Sequence, residues 1–306
     1  MIVVVAPGQG SQTPGFLAPW LDDEKLRDQL GAISEVAGID LVTHGTVSDA
    51  DTIRDTAVAQ PLIVAAGLLT LNALTVGGRH EYIGAVAGHS VGEITAAAAA
   101  GILSEDDAIR FVVGRGSAMA SAAALEPTGM SAVIGGDESA LLERLAELGL
   151  QPANFNGGGQ IVVAGALDAL AKLAEDPLKG TRVVPLQVAG AFHTRFMQPA
   201  VAHLETVAAG LTKNDPTLAI YTNRDGSLIH VGEHFVDLLV GQVSSPVRWD
   251  LTMNSLADAG VTGIIELAPA GALVGLAKRG LRGIPAVAVT TPDDLSAAFD
   301  LMEANA

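Results

Sequence analysis

Between residues 83 and 100 the chain runs from a short apolar stretch, Ile83-Gly84-Ala85-Val86-Ala87, through Gly88-His89-Ser90-Val91-Gly92, into an alanine-rich stretch, Glu93 to Ala100. The first stretch reads as a buried strand and the last as a helix, so the Gly-x-Ser-x-Gly run between them has to turn tightly. Two glycines let the strand and helix backbones approach closely, and the turn lifts the Ser90 hydroxyl into the open above the helix N-terminus. The amide of Val91, helped by the helix dipole, then points at whatever oxygen the serine attacks. This geometry suits acyl transfer to a serine. The same residues also suit a packing elbow in which Ser90 is only a cap. In either case the unit belongs to an α/β fold.

The rest of the chain alternates in the same way, which predicts parallel strand pairing. Ile2–Val5 is a strand, Asp23–Ala37 an amphipathic helix and Ser104–Ala124 a long helix capped by Ser104. Strands at Thr262–Leu267 and Ala286–Thr290 and helices at Trp249–Ala259, Ala272–Arg279 and Asp293–Glu303 follow. The middle differs. Strands at Met130–Gly135, Ala153–Phe155, Gln160–Ala164 and Arg182–Val188, with helices at Asp137–Leu148 and Leu167–Ala174, give the order β-α-β-β-α-β of a ferredoxin-like unit. The expected organisation is a large α/β domain, residues 1–126 and 189–306, with a small inserted domain at 127–188.

Composition narrows the function. With 306 residues, 49% of them hydrophobic and 17% charged, the chain carries a large core. A net charge of −17 argues against nucleic acid as a partner. There is no cysteine, which removes disulfides and thiolate chemistry and fits a cytoplasmic setting. Thr56 to Gly78 is uncharged and long enough to span a membrane, but Gln60, Pro61, Asn72 and its threonines and glycines make it a buried helix, with Pro61 in the first turn. No metal-ligand spacing, P-loop or dinucleotide fingerprint is present.

A nucleophilic serine needs a base, an oxyanion hole and a group that recognises its acyl chain. Of seven histidines, His89 adjoins Ser90 but points away from it on a tight turn and reads as structural. His193 follows the last strand of the small domain, where a loop leaving a domain junction can deliver a side chain to a cleft. The others carry no motif. Gly8-Gln9-Gly10-Ser11-Gln12, at the carboxyl end of strand one, is placed either to present amides to an anion or simply to turn. Arg115 lies between Gly114 and Gly116 in an otherwise apolar helix; glycine there costs about 1 kcal/mol against alanine, which points to close packing and a guanidinium reaching a site.

Together these residues resemble the malonyl-CoA:acyl-carrier-protein transacylase family of fatty-acid synthesis. The segments that carry the resemblance are Pro7 to Gln12, Gly88 to Glu93, Arg115, Asn154-Phe155-Asn156 with Gly159 to Gly165, Ala191-Phe192-His193, and Gln242 with Ser245 to Trp249, in that order along nearly the whole chain. The resemblance implies an α/β-hydrolase-like large domain with a parallel sheet. It implies a ping-pong transfer in which Ser90 takes malonyl from malonyl-CoA and passes it to the phosphopantetheine thiol of holo acyl carrier protein. His193 is then the base, oriented by a backbone carbonyl near Gln242 in place of an acid. The amides of Gln9 and Val91 form the oxyanion hole, Arg115 binds the malonyl carboxylate, and Phe192 and Asn156 line the acyl pocket. Phe192 stands where several relatives carry serine, and in related polyketide acyltransferases that phenylalanine accompanies malonyl preference over methylmalonyl.

No metal or redox cofactor is expected, since coenzyme A enters as the substrate's carrier. The remaining expectations are no membrane association and a monomer. Arg195, Lys179 and Arg182 are the expected basic docking patch for an acidic carrier. Three alternatives remain: a discrete acyltransferase serving a polyketide synthase, a serine esterase or thioesterase, and a non-catalytic scaffold that binds the carrier.

Overall fold

The computed structural model describes residues 1–305. The elements, in chain order, are β1 (Ile2–Ala6), α1 (Glu24–Ala37), α2 (Leu41–Thr46), α3 (Thr56–Thr75), β2 (Ile83–Gly88), α4 (Gly92–Ala99), α5 (Glu105–Ala123), β3 (Thr128–Gly135), α6 (Glu138–Leu148), β4 (Gln151–Gly157), β5 (Gln160–Ala166), α7 (Leu167–Glu175), β6 (Thr181–Pro185), α8 (Gln198–Ala209), β7 (Ala219–Tyr221), β8 (Leu228–Ile229), α9 (Gly232–Gln242), α10 (Trp249–Asp258), β9 (Gly263–Glu266), α11 (Ala272–Gly280), β10 (Ala286–Ala288) and α12 (Leu295–Glu303). The fold is mixed α/β with two sheets.

The first sheet has the order β10-β9-β1-β2-β7-β8. Its first five strands are parallel, and β8 closes the edge antiparallel to β7. The central β1 is buried at every residue, as an unbroken Ile-Val-Val-Val-Ala run requires when helices cover both faces. The second sheet, β4-β5-β3-β6, is antiparallel throughout. Two main-chain bonds join β4 to the segment before α10: Phe155 N–H to Val247 O at 2.8 Å and Val247 N–H to Ala153 O at 2.9 Å.

The uncharged stretch is α3, which buries 14 of its 20 residues and so lies within the protein rather than on its surface. Pro61 falls one turn later than the sequence predicts. Asp55 is the N-cap, so Pro61 sits in the second turn, where it removes one helical hydrogen bond. Gly116 of α5 explains the fit there: a Cβ on it would lie 2.9 Å from Thr56 O and 3.5 Å from the Pro61 ring. Gly114 faces Val207 of α8 as closely, at 3.0 Å. The glycines flanking Arg115 therefore let α5 pack against a helix on each side.

Two other elements end differently from the sequence pattern. β6 stops at Pro185, not Val188: Leu186 N–H still reaches Met130 O at 2.9 Å, but the Val188 N–H turns back to Leu186 O at 3.1 Å, so the chain curls away from the sheet. The last helix is broken into a 3-10 turn, Pro292–Asp294, and α12. At the carboxyl end of β9 the buried Glu266 accepts N–H bonds from Gly271, Leu273 and Val274, fixing the start of α11 against the sheet.

Candidate active site

The carboxyl ends of β1 and β2 open into a cleft of about 710 Å³ between the two sheets. Gln9, His89, Ser90, Val91, Asn156, Phe192 and His193 line it. Ser90 sits on the β2–α4 turn at φ 54°, a left-handed conformation that costs a non-glycine residue about 1–3 kcal/mol. The neighbouring glycines make that turn possible. A Cβ on Gly88 would lie 2.0 Å from the Gly92 carbonyl carbon, and one on Gly92 would lie 2.1 Å from Ala6 O. The turn is also held from outside. Asn223, just past β7, accepts the Ser90 N–H at 2.7 Å and donates to Gly88 O at 2.7 Å.

His193 lies on the loop between β6 and α8, itself at φ 62°, with its main-chain N–H bonded to Val243 O. Its Nε2 is 2.7 Å from Ser90 Oγ, and its Nδ1 is 2.9 Å from the main-chain oxygen of Gln242. A carbonyl oxygen only accepts, so Nδ1 carries the proton and Nε2 is free to take the serine's. Burial, reinforced by the nearby Arg115 charge, pushes the His193 pKa from 6.5 down to about 3, so the imidazole is neutral near pH 7.

Arg115 is 1% exposed and lies behind the cleft wall. It donates to Gln60 Oε1 at 2.7 Å, to Gln242 Oε1 at 2.9 Å and to Ser90 Oγ at 3.3 Å. Ser90 Oγ thus accepts from a cation while donating to a neutral base, an arrangement that stabilises negative charge on the oxygen. Burial lowers the Arg115 pKa and raises that of the neighbouring Glu93; the Asn223 N–H that Glu93 accepts and the Arg115 charge oppose the rise, and the Glu93 charge opposes the fall. Neither the Gln9 nor the Val91 main-chain N–H has a protein hydrogen-bond partner among the described residues, and both residues border the cleft beside Ser90.

His89 turns to Asn156, its Nε2 2.9 Å from Asn156 Oδ1, and Asn156 in turn donates to Gln160. Burial pushes the His89 pKa down from its ordinary value, against the opposing hydrogen bond to Asn156. Phe192 is 5% exposed and borders the cleft next to His193. Arg195, Lys179 and Arg182 are exposed.

Residues 3–293 match the model of the acyl transferase domain. A malonyl CoA-acyl carrier protein transacylase of Mycobacterium tuberculosis is 52% identical over 299 residues, covering 96% of this chain and 98% of that one. The chain belongs to the acyl transferase family, among the malonyl CoA-acyl carrier protein transacylases. Its fold agrees with theirs: the crystal structure of MCAT from Mycobacterium tuberculosis superposes with a TM-score of 0.95 at 51% identity over 99% of both chains. A malonyl-transacylase solved in complex with a type II polyketide acyl carrier protein superposes at 0.92, with 29% identity over 98% of this chain and 99% of that one.

Side-chain contacts made by four residues around this site were not expected from the sequence. Gln60 and the Gln242 side chain hold Arg115, Asn223 holds the serine turn, and Glu93 accepts from both Asn223 N–H and the Gln242 amide. Glu93 stands inside the serine motif, and Gln60 is conspicuous as a polar residue in a long uncharged helix. Asn223 follows a three-residue strand and is marked by nothing.

Proposed function

We propose that this protein transfers malonyl from malonyl-CoA to the phosphopantetheine thiol of holo acyl carrier protein through a malonyl-serine intermediate. The observation that carries this reading is the Ser90 hydroxyl held between His193 Nε2 at 2.7 Å and the Arg115 guanidinium at 3.3 Å.

Ser90 Oγ adds to the thioester carbonyl as its proton passes to His193 Nε2. The carbonyl oxygen takes the charge, and the amides of Gln9 and Val91 stabilise it. Collapse breaks the C–S bond, and His193 returns the proton to the departing CoA thiolate. The carrier's thiol then attacks the ester, with His193 taking the thiol proton and giving it back to Ser90 Oγ. Arg115 pairs with the free carboxylate of the malonyl group, which reaches it alongside Ser90. An acetyl group would leave that guanidinium without an anion, so the pairing favours malonyl. Serine and histidine supply all the proton transfers, so no metal or redox cofactor enters, and coenzyme A arrives only as the carrier.

The same reading takes the large part of the chain, 1–126 and 189–306, as an α/β-hydrolase-like domain and 127–188 as an inserted ferredoxin-like domain. It also takes the protein as a cytoplasmic monomer that meets its acidic carrier through Arg195, Lys179 and Arg182, away from nucleic acid and membrane. A fatty-acid carrier is the main reading. The likeness to a transacylase solved with a polyketide carrier keeps a polyketide carrier as the second. Initial rates over a grid of malonyl-CoA and holo carrier concentrations test the mechanism. Ping-pong transfer gives parallel double-reciprocal lines, and intersecting lines would require a ternary complex. Repeating the grid with each carrier type, and with a neutralised Arg195, identifies the carrier and the docking face.

A further inference from the structure

Glu93 takes no part in the transfer steps above, yet it sits on the first turn of α4, three residues from Ser90, and is 1% exposed. Its Oε1 accepts the main-chain N–H of Asn223 at 2.6 Å, and its Oε2 accepts the side-chain amide N–H of Gln242. Each partner continues into the site. Asn223 grips the serine turn at both ends, through the Ser90 N–H and Gly88 O. Gln242 presents its side-chain oxygen to Arg115 and its main-chain oxygen to His193.

An amide has one donating and one accepting end. With its NH₂ turned to Glu93, Gln242 must turn its oxygen to Arg115. In the reversed orientation an NH₂ would face a guanidinium, donor against donor. Packing alone does not impose the choice, because a cavity of about 50 Å³ borders both Glu93 and Gln242. We propose that Glu93 is a positioning residue for acyl-group selection. Its two acceptor oxygens orient the Gln242 amide and seat the Asn223 loop, and so hold Arg115 where the malonyl carboxylate binds. This rests on the roles given above to Ser90, His193 and Arg115.

Glu93→Gln is the sharpest variant. It keeps the shape but offers one acceptor and one donor, so satisfying Asn223 N–H turns its own NH₂ toward Gln242 and reverses that amide. The experiment compares kcat/KM for malonyl-CoA and acetyl-CoA in wild type, Glu93→Gln and Glu93→Asp, each full length and checked for folding by thermal unfolding. The expected result is a fall of tenfold or more in the malonyl-to-acetyl ratio of Glu93→Gln, with a raised malonyl KM. The ratio in Glu93→Asp, which keeps two acceptors on a shorter stem, should lie between. A ratio unchanged from wild type, whatever the absolute rates, overturns the proposal. If Glu93→Gln does not fold, the Glu93→Asp ratio decides by the same criterion. Wild type must first acquire a malonyl group on Ser90. If it does not, the reading of the site fails, and Glu93 is not what was tested.

Discussion

The main-chain oxygen of Gln242 lies 2.9 Å from Nδ1 of His193, and the side-chain oxygen of the same glutamine lies 2.9 Å from a guanidinium nitrogen of Arg115. One residue at the end of α9 therefore aligns the imidazole and the guanidinium that both touch Ser90. A carbonyl does here what a buried carboxylate does in a Ser-His-Asp triad: it sets the imidazole's tautomer and direction. It does so without a negative charge. That leaves the imidazole neutral next to a guanidinium, and it ties His193 and Arg115 to a single segment.

Removing the cation should change which acyl group is preferred. In Arg115→Ala the malonyl carboxylate enters a desolvated site without a partner. A stranded buried charge costs about 3–5 kcal/mol, so malonyl kcat/KM should fall a hundredfold or more while acetyl transfer holds or rises. Arg115→Lys should recover only part of the loss, since an ammonium cannot reproduce the forked contact. Steady-state kinetics with both donors check this; equal losses would mean that Arg115 supports the fold alone.

The acid limb of activity should be displaced. The base works when neutral, and burial with the Arg115 charge lowers the His193 pKa to about 3. The active form therefore persists as pH falls well below 6.5, and kcat/KM for malonyl-CoA should show no histidine limb between pH 5 and 7. Pairing of Arg115 with the malonyl carboxylate removes part of the depression, so the limb in kcat should lie at higher pH than the limb in kcat/KM. A kcat/KM limb near pH 6.5 would contradict the burial of the base.

Opening the pocket should relax selectivity. Phe192 borders the cleft beside His193, so Phe192→Ser opens volume near the acyl α-carbon. Discrimination between malonyl-CoA and methylmalonyl-CoA should weaken by about 1–3 kcal/mol, the range for one carbon in an apolar pocket. An unchanged ratio of kcat/KM values would place the ring away from the substrate.

The serine turn should tolerate no Cβ at its second glycine. In Gly92→Ala the new methyl meets Ala6 O at 2.1 Å, and neither backbone can yield without shifting β1 or α4. Overpacking of this kind costs about 1–3 kcal/mol where side chains can adjust and more where only backbone is present. Denaturant unfolding should show a loss at or above the top of that range, and a loss below 1 kcal/mol would mean that the turn is more plastic than its contacts imply.

Much of this was legible in the sequence. The strand-Gly-x-Ser-x-Gly-helix unit, the glycine-flanked arginine and the histidine after the last strand of the second sheet each carry a local signal, and the structure brings all three within one site. The carbonyl near Gln242 that meets His193 was expected from the resemblance, but the side chains that hold Arg115 and the serine turn were not legible. Gln60, Asn223 and Gln242 lie 55 to 133 residues from the groups they bond, and a polar side chain bonded at that separation leaves no periodic trace. The stretch from 198 to 242 gave no clear element boundaries either. There α8 is alanine-rich and begins Gln198-Pro199, and β7 and β8 are three and two residues long. Elements that short are defined by their neighbours in the sheet, not by their own pattern.

The central claim is that Ser90 carries the malonyl group between donor and carrier. Intact-protein mass spectrometry after brief incubation with malonyl-CoA, followed by peptide mapping, tests it most directly. Wild type should gain one malonyl group, mapped to Ser90 and discharged on adding holo acyl carrier protein. Ser90→Ala, which stays folded because only a hydroxyl is lost from the turn, should gain none. An adduct that persists in Ser90→Ala, or one on Ser90 that the carrier does not remove, would contradict the account.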